Sequence, residues 1–161
     1  MLTGSRLEEM LHYDPEAGLW TWLKAPNHNS RLNGCEAGNR RSDGYLRIRI
    51  DGQLYYASHL ACLWMTGKLP DEEMDHKDRD PSNDKWDNLR EATSSQNKYN
   101  RTYDGLRGVY RSGSKWWAHV GRNGYLGTFD TLEEAIIARD AEALRLGGDF
   151  AVLNSSQGEL M

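Results

Sequence analysis

The sequence predicts an α+β fold in two units: a ββα unit, and then a three-stranded antiparallel sheet packed on one helix. Three patterns lead to this prediction. Residues 10–23 and 44–60 each contain a turn signal between apolar or aromatic segments. Residues 74–100 place an Asp-His pair ahead of a capped helix. Residues 105–154 contain three short strand patterns followed by one amphipathic helix. We expect the first domain to span about 1–100 and the second 105–154.

Two hairpins are predicted in the first half of the chain. The stretch MLHYDPEAGLWTWL, residues 10–23, has the turn signal DPEAG between aromatic and apolar residues. In GYLRIRIDGQLYYASHL, residues 44–60, polar and apolar residues alternate around Asp51-Gly52, a dipeptide that favours a tight turn between two strands. The apolar residues that should share the buried face are Leu46, Ile48 and Ile50.

A short helix is predicted over residues 57–67, ASHLACLWMTG, and Gly67 should end it. Leu60, either Cys62 or Leu63, and Trp64 should point into the core. His59 lies on the same helix, and we interpret it as a structural residue, because a lone histidine on a packed helix is more often satisfied within the core than used as a ligand.

The polar stretch MDHKDRDPSNDKWDNLREATSSQNKYN, residues 74–100, predicts two strands and a helix. Residues 74–76 and 88–90 would be paired strands, with 77–87 as the loop between them. The sequence TSSQ that follows fits a capping box, in which the Thr hydroxyl and the Gln side chain satisfy free amides of the first helical turn. A helix is therefore predicted over 94–100.

This arrangement should bring Asp75, His76 and Asn97 to one point. Carboxylate and amide oxygens are hard ligands that suit magnesium, which takes the rest of its shell from water and phosphate oxygens. An imidazole beside such an ion can remove a proton from a water molecule that attacks phosphorus. The sequence therefore predicts a magnesium site with a histidine base.

The frame DH…N-x-x-x-DN-LREAT-xxx-N resembles the HNH endonucleases of phages and mobile introns, over roughly residues 10–100. The resemblance implies a ββα-metal fold, also called a His-Me finger, that cleaves or nicks double-stranded DNA in the host cytoplasm, as homing endonucleases do. It implies Asp75 and Asn97 as ligands of one Mg²⁺ or Mn²⁺ ion, without zinc, and His76 as the general base. Asn88 would orient that histidine by a hydrogen bond across the hairpin.

The second unit should contain three strands near residues 108–110, 115–120 and 125–129, separated by Ser-Gly-Ser and Arg-Asn-Gly turns. A helix should follow, because Thr131 to Glu134 forms another capping box and Gly147-Gly148 a stop. The residues expected on its buried face are Leu132, Ala135, Ile136, Ala143 and Leu146.

One face of this sheet is predicted to bind DNA, because it combines basic and aromatic side chains without acids. RGV, KWWAHV, YLGTFDTLEEA and FAVLN resemble the DNA-binding domain of the plant APETALA and ethylene-response-factor family. In that family the sheet lies in the major groove. The residues predicted to contact DNA are Arg107, Tyr110, Arg111, Lys115, Trp117, His119, Arg122 and Tyr125.

The charge distribution agrees with two such surfaces. The chain of 161 residues has a net charge of −4. Residues 71–91 contain nine acids and four bases, whereas residues 105–125 contain four bases and no acid. An acidic region can hold a cation while a separate basic surface binds a polyanion.

Composition excludes several other classes. No apolar run approaches the roughly 20 residues of a membrane span, and the first residues lack the order of a signal peptide, so we expect a cytoplasmic protein. Cys35 and Cys62 belong to no Cys/His ligand cluster, and neither a zinc site nor a disulfide framework is predicted. An alternative to the nuclease is a regulator that binds specific DNA sequences without cleaving them. The intact set of Asp75, His76 and Asn97 argues against it.

Overall fold

The computed structural model describes residues 2–26, 29–101, 105–121 and 124–155, in which helices and strands are mixed. Within these ranges, no helix has the length and apolar character that a bilayer crossing requires. The chain divides into two compact units, Met1–Thr93 and Ser94–Met161.

The first unit contains two helices and seven strands among its described residues. In chain order these are α1 (Gly4–Met10), β1 (Leu11–Asp14), β2 (Leu19–Trp22), β3 (Asn39–Arg40), β4 (Leu46–Ile50), β5 (Gln53–Tyr56), α2 (Ala57–Thr66), β6 (Glu73–His76) and β7 (Leu89–Ala92). The strands form three antiparallel sheets, β1-β2, β3-β4-β5 and β6-β7.

Both predicted hairpins of this unit are confirmed. The turn between β4 and β5 has positive φ at Asp51 and Gly52, 48° and 83°, as a tight primed turn requires. All three of the predicted apolar residues on β4 are buried. The predicted helix is also confirmed as α2, which ends at Gly67 and buries Leu60. The helix α1 has no counterpart in the predictions; the Thr3 side chain caps it by accepting a hydrogen bond from the Arg6 amide.

The second unit contains α3 (Ser94–Tyr99), β8 (Val109–Ser112), β9 (Lys115–Val120), β10 (Gly124–Phe129) and α4 (Leu132–Gly147). The strands form an antiparallel sheet in the order β10-β9-β8. Ala118 on β9 and Ala135 on α4 are fully buried in one cluster. Because these side chains are small, the helix and the sheet can approach closely.

The division between the units differs from the predicted boundary near residue 100. It falls between Thr93 and Ser94, so that α3 belongs to the second unit. The reason is packing against α4: a Cβ on Gly147 would lie only 3.0 Å from the Tyr99 ring. Because α3 directly follows β7 in the sequence, nothing in the sequence indicated that α3 packs against α4.

The predicted capping box of α4 is confirmed, since Thr131 and Glu134 each bond the backbone of the other. The predicted buried face is wrong at Leu146, which is 44% exposed. Arg139 and Asp140 are buried instead. Because both residues are charged, the apolar periodicity of the helix did not indicate that they are buried.

Arg139 and Asp140 hold the segment that follows α4. Arg139 donates hydrogen bonds to Asp140 Oδ1 at 2.8 Å and to the Val152 carbonyl at 2.6 Å. The Asp140 carboxylate also accepts the backbone amides of Asn154 and Ser155, at 3.0 and 2.9 Å. Burial alone would raise the pKa of Asp140, but these hydrogen bonds outweigh it and the pKa is lowered.

We therefore predict that Asp140→Asn lowers the free energy of unfolding by about 1.5–3 kcal/mol at neutral pH, because a charged acceptor of buried amides is lost. A lowered pKa stabilises the fold above the ordinary carboxyl value of 3.8, and this stabilisation is lost as the pH falls through the folded value. Urea unfolding at several pH values measures both effects. The difference from wild type should shrink in acid.

Glu142→Gln is the matched control on the same helix. Glu142 makes an exposed ion pair with Arg145, and such pairs contribute little to stability. Equal losses in the two variants would show that the buried carboxylate has no special role.

Candidate active site and sheet face

Two buried polar side chains lie at the end of β6. In the β6-β7 ladder Asp75 faces Arg90 and His76 faces Leu89. Asp75 is only 6% exposed and His76 4%. Burying such groups costs free energy unless they have polar partners, so the partners define what the site can do.

A partner of Asp75 is the guanidinium of Arg90. Its Nε and Nη2 atoms both lie 2.9 Å from Asp75 Oδ2. Since the two residues face each other in the ladder, the register of the strands fixes this contact. The carboxylate is therefore held in one orientation, with Oδ2 facing the guanidinium of Arg90.

A partner of His76 is Asp84, a residue that the sequence reasoning missed. The His76 Nε2 atom lies 3.2 Å from Asp84 Oδ1, and the two side chains are 4% and 3% exposed. In the sequence Asp84 is one of several loop acids, and nothing in its spacing separates it from Asp78 or Asp80. Only the fold of the loop shows that it turns inward.

Asn88 was expected to orient His76 directly, and the structure corrects this. Within the described residues its side chain bonds the loop instead: Oδ1 accepts the Asp78 amide at 3.0 Å, and Nδ2 donates to Asp78 Oδ1 and to the Asn83 carbonyl, at 2.9 and 2.8 Å. The cause is local, because Asn88 ends a short 3-10 helix and does not lie in β7. Asn88 therefore fixes the loop that carries Asp84.

Asp78 is the hub of that loop. Burial would raise the pKa of its carboxyl, but hydrogen bonds from Asn83, the Asp80 backbone and Asn88 lower it on balance. Many of the loop acids and amides thus bind one another, which explains part of the unusual composition of the stretch.

The first hairpin supports the backbone at Asp84. The Tyr13 hydroxyl donates to the Asp84 carbonyl at 2.6 Å, and the Trp86 amide donates to the Pro15 carbonyl at 3.0 Å. Burial, followed by the charges of Asp84 and Asp14, raises the pKa of the Tyr13 hydroxyl, which keeps it a donor. The predicted turn DPEAG therefore serves as a support for the loop.

A second support acts on the His76 ring. The Tyr45 ring meets it edge on, with centroids 5.7 Å apart and planes at 67°. The neighbouring Gly44 lies against Pro81 of the loop, where a Cβ would come within 2.7 Å of the proline Cγ. The imidazole is thus held by a ring as well as by a carboxylate.

Asn97, the other predicted metal ligand, lies on α3 and is half-buried. Its role as a ligand stays a prediction. Among the described residues, no group of three or more His, Cys, Asp and Glu side chains is placed to hold a metal ion. The predicted site takes one carboxylate and one amide, and so differs in kind from such a group.

Residues 55–99 match a family model described as HNH endonuclease. The matched segment runs from β5 to α3 and therefore contains Asp75, His76, Asn88 and Asn97. The match supports an enzyme that cleaves DNA.

The sheet of the second unit presents three aromatic rings on one face. Tyr110 pairs with Trp117 across β8 and β9, with ring centroids 4.6 Å apart. His119 lies 5.4 Å from Tyr110 and 5.5 Å from Trp117, and the three planes agree within 24°. We call Tyr110, Trp117 and His119 the ring cluster. Tyr125 pairs with His119 on the same face and is 65% exposed.

The cations predicted on this face are placed differently. Arg111 pairs with Trp116, and its guanidinium lies 6.0 Å from the centre of that ring, on the opposite face. Lys115 forms an ion pair with Asp130 at 2.9 Å, so the face is not free of acids. Arg107 donates to the carbonyls of Tyr99 and Lys98 at the end of α3. Arg122 lies outside the described residues.

A cavity of about 590 Å³ adjoins the ring cluster within the second unit. Its lining includes Tyr110 and His119 together with Lys98, Arg107 and Arg139, and no acidic side chain of the described residues lines it. A pocket of this composition is complementary to aromatic and anionic groups, as nucleotides are.

The close contact of Gly18 with the Asp84 backbone gives a testable prediction. Gly18 has φ of +72°, and a Cβ there would lie 2.6 Å from the Lys85 nitrogen and 2.7 Å from the Asp84 carbonyl carbon. We expect Gly18→Ala to destabilise the first unit by more than the roughly 1–2 kcal/mol of a left-handed alanine. Urea unfolding followed by tryptophan fluorescence measures the loss.

Gly52→Ala is the control, because Gly52 has φ of +83° but no atom within 4 Å of the added Cβ. Gly52→Ala should lower the free energy of unfolding only by the cost of a left-handed backbone conformation at alanine. Equal destabilisation in the two variants would mean that the turn does not support the loop.

Proposed function

We propose that the protein is a metal-dependent endonuclease that hydrolyses phosphodiester bonds of double-stranded DNA, with His76 as the general base. The observation that carries this proposal is the match of residues 55–99 to the HNH endonuclease model, since it contains the Asp75-His76 pair. The structure supports it further, because both side chains are buried and have polar partners.

The chemistry of the donors fits a divalent cation. HNH nucleases generally use such an ion. Asp75 supplies a carboxylate that Arg90 already orients through Oδ2, and Asn97 supplies an amide oxygen. Oxygen ligands of this kind are preferred by Mg²⁺ and Mn²⁺. We propose Asp75 and Asn97 as the protein ligands of one such ion.

In the proposed reaction His76 accepts a proton from a water molecule, whose oxygen then attacks phosphorus. The bond from phosphorus to the 3′ oxygen breaks, the leaving oxygen takes a proton from solvent water, and His76 gives its proton back to the solvent. A divalent ion held by Asp75 and Asn97 would stabilise the charge on the phosphate and on the leaving oxygen as a Lewis acid. Asn88 contributes indirectly, through the loop that it holds.

We further propose that the sheet unit docks the nuclease on DNA. The exposed aromatic residues of the sheet and the adjoining cavity, whose lining includes Lys98 and Arg107, support this role. Aromatic side chains can stack on bases, and cations pair with phosphates. A second binding module on the same chain makes the encounter of the nuclease with DNA effectively intramolecular. Such a pair of modules would suit a mobile element or phage enzyme.

The nuclease proposal predicts metal-dependent nicking or linearisation of supercoiled plasmid DNA. His76→Ala should lower the rate by about 10²–10⁴-fold, because a general base contributes an effect of that size. Agarose gels with Mg²⁺ or with a chelator measure it. His12→Ala is the control, since His12 is an exposed histidine whose ring contacts Trp64.

Binding of the plasmid without any metal-dependent cleavage would contradict the proposal and favour the regulator. Cleavage that persists in His76→Ala would exclude the proposed base but leave the enzyme class intact.

The docking proposal predicts that Trp117→Ala weakens DNA binding by about 1–3 kcal/mol, because stacking on a base is lost. Fluorescence anisotropy with a labelled duplex measures the dissociation constant. Ile137→Ala, an exposed apolar side chain on α4, should leave it unchanged. An unchanged affinity in Trp117→Ala would remove the ring cluster from the proposed interface.

A further inference from the structure

The contact of His76 with Asp84 is a buried polar pair that the proposed reaction does not yet use. Asp84 is 3% exposed, and its Oδ1 atom lies 3.2 Å from His76 Nε2. Its other oxygen, Oδ2, is buried and accepts no hydrogen bond among the described residues. A carboxylate left half satisfied in a protein interior costs free energy, so packing alone does not account for it.

The chemistry of the pair fixes the tautomer of the imidazole. A neutral histidine donates through one ring nitrogen and accepts through the other. An ionised carboxylate only accepts, so the contact with Asp84 places the hydrogen on Nε2. Nδ1 then carries the lone pair, and it becomes the atom that can take a proton from water.

The surroundings keep Asp84 in this position. Its carbonyl accepts the Tyr13 hydroxyl at 2.6 Å, and Gly18 packs against its backbone. Asn88 holds the residue before Asp84, because its Nδ2 atom donates to the Asn83 carbonyl. Supports from a separate hairpin and from the loop itself are typical of a group whose orientation matters.

We infer that Asp84 is a positioning residue for the proposed nuclease: it holds His76 in the Nε2-protonated tautomer, so that Nδ1 is the nitrogen that accepts the proton of the attacking water. This inference rests on the proposed function. It assigns to Asp84 the orienting role that the family resemblance implied for Asn88, and Asn88 acts on His76 only through the loop that it holds.

Asp84→Asn tests the inference, because the amide has nearly the same shape but can donate as well as accept. We expect kcat for plasmid nicking to fall by roughly 10²–10⁴-fold, as when the carboxylate behind a catalytic histidine is replaced by an amide. The dissociation constant for DNA should stay within about twofold, since the change affects only the base. Asp80→Asn is the matched control, an exposed acid of the same loop.

A spectroscopic readout is independent of activity. ¹⁵N NMR of the metal-free wild-type protein labelled at its five histidines reports the tautomer of each ring. The His76 signals are identified by their loss in His76→Gln. They should have the pattern of the Nε2-protonated form in wild type and in Asp80→Asn, and should change in Asp84→Asn.

The outcomes separate this inference from the proposed function. A wild-type His76 protonated on Nδ1, or an Asp84→Asn protein with unchanged kcat, would overturn the positioning role. Wild-type protein that never cleaves DNA would overturn the nuclease, whatever tautomer the NMR shows. If Asp84→Asn fails to fold, the wild-type spectrum alone decides the inference.

Discussion

The buried contact between His76 and Asp84 constrains the rest of the first unit. Two ionisable side chains in a protein interior are stable only while their partners stay in place, so the surrounding elements must hold the pair. The first hairpin contributes the Tyr13 hydroxyl and the close approach of Gly18, and the 77–87 loop is closed by Asn88. The first hairpin and the stretch that contains His76 and Asp84 are far apart in sequence, but in the structure the hairpin holds the backbone of Asp84 in place.

The sequence predicted the elements whose side chains follow a clear period. The β4-β5 hairpin, α2 and the capped start of α4 all carry signals within a few residues. It did not reveal Asp84, because a loop acid that turns inward has the same composition as one in solvent. It did not reveal Arg139 and Asp140 either, since their partners lie beyond the end of α4.

One error in the predicted DNA-binding face could be recognised from the sequence itself. Tyr110 and Arg111 are adjacent in one strand, and neighbouring residues of a strand point to opposite faces, so both could not lie on the same surface. The ion pair of Lys115 with Asp130, by contrast, joins residues fifteen positions apart, and only the register of the sheet reveals it. Among the described residues, the sheet face is therefore more aromatic and less cationic than the composition of the segment suggested. In the proposed docking on DNA, contacts with bases would then contribute more than ionic contacts with phosphates, and the affinity for DNA would depend less on salt.

The chemistry of the cleaved ends tests the central claim most directly. If water activated by His76 attacks phosphorus and the 3′ oxygen leaves, cleavage in ¹⁸O-labelled water should give 3′-hydroxyl ends and 5′-phosphate ends, with the label in the 5′-phosphate. Mass spectrometry of a short duplex substrate with Mg²⁺ reads both features. Label in a 3′-phosphate, or no metal-dependent products at all, would contradict the account.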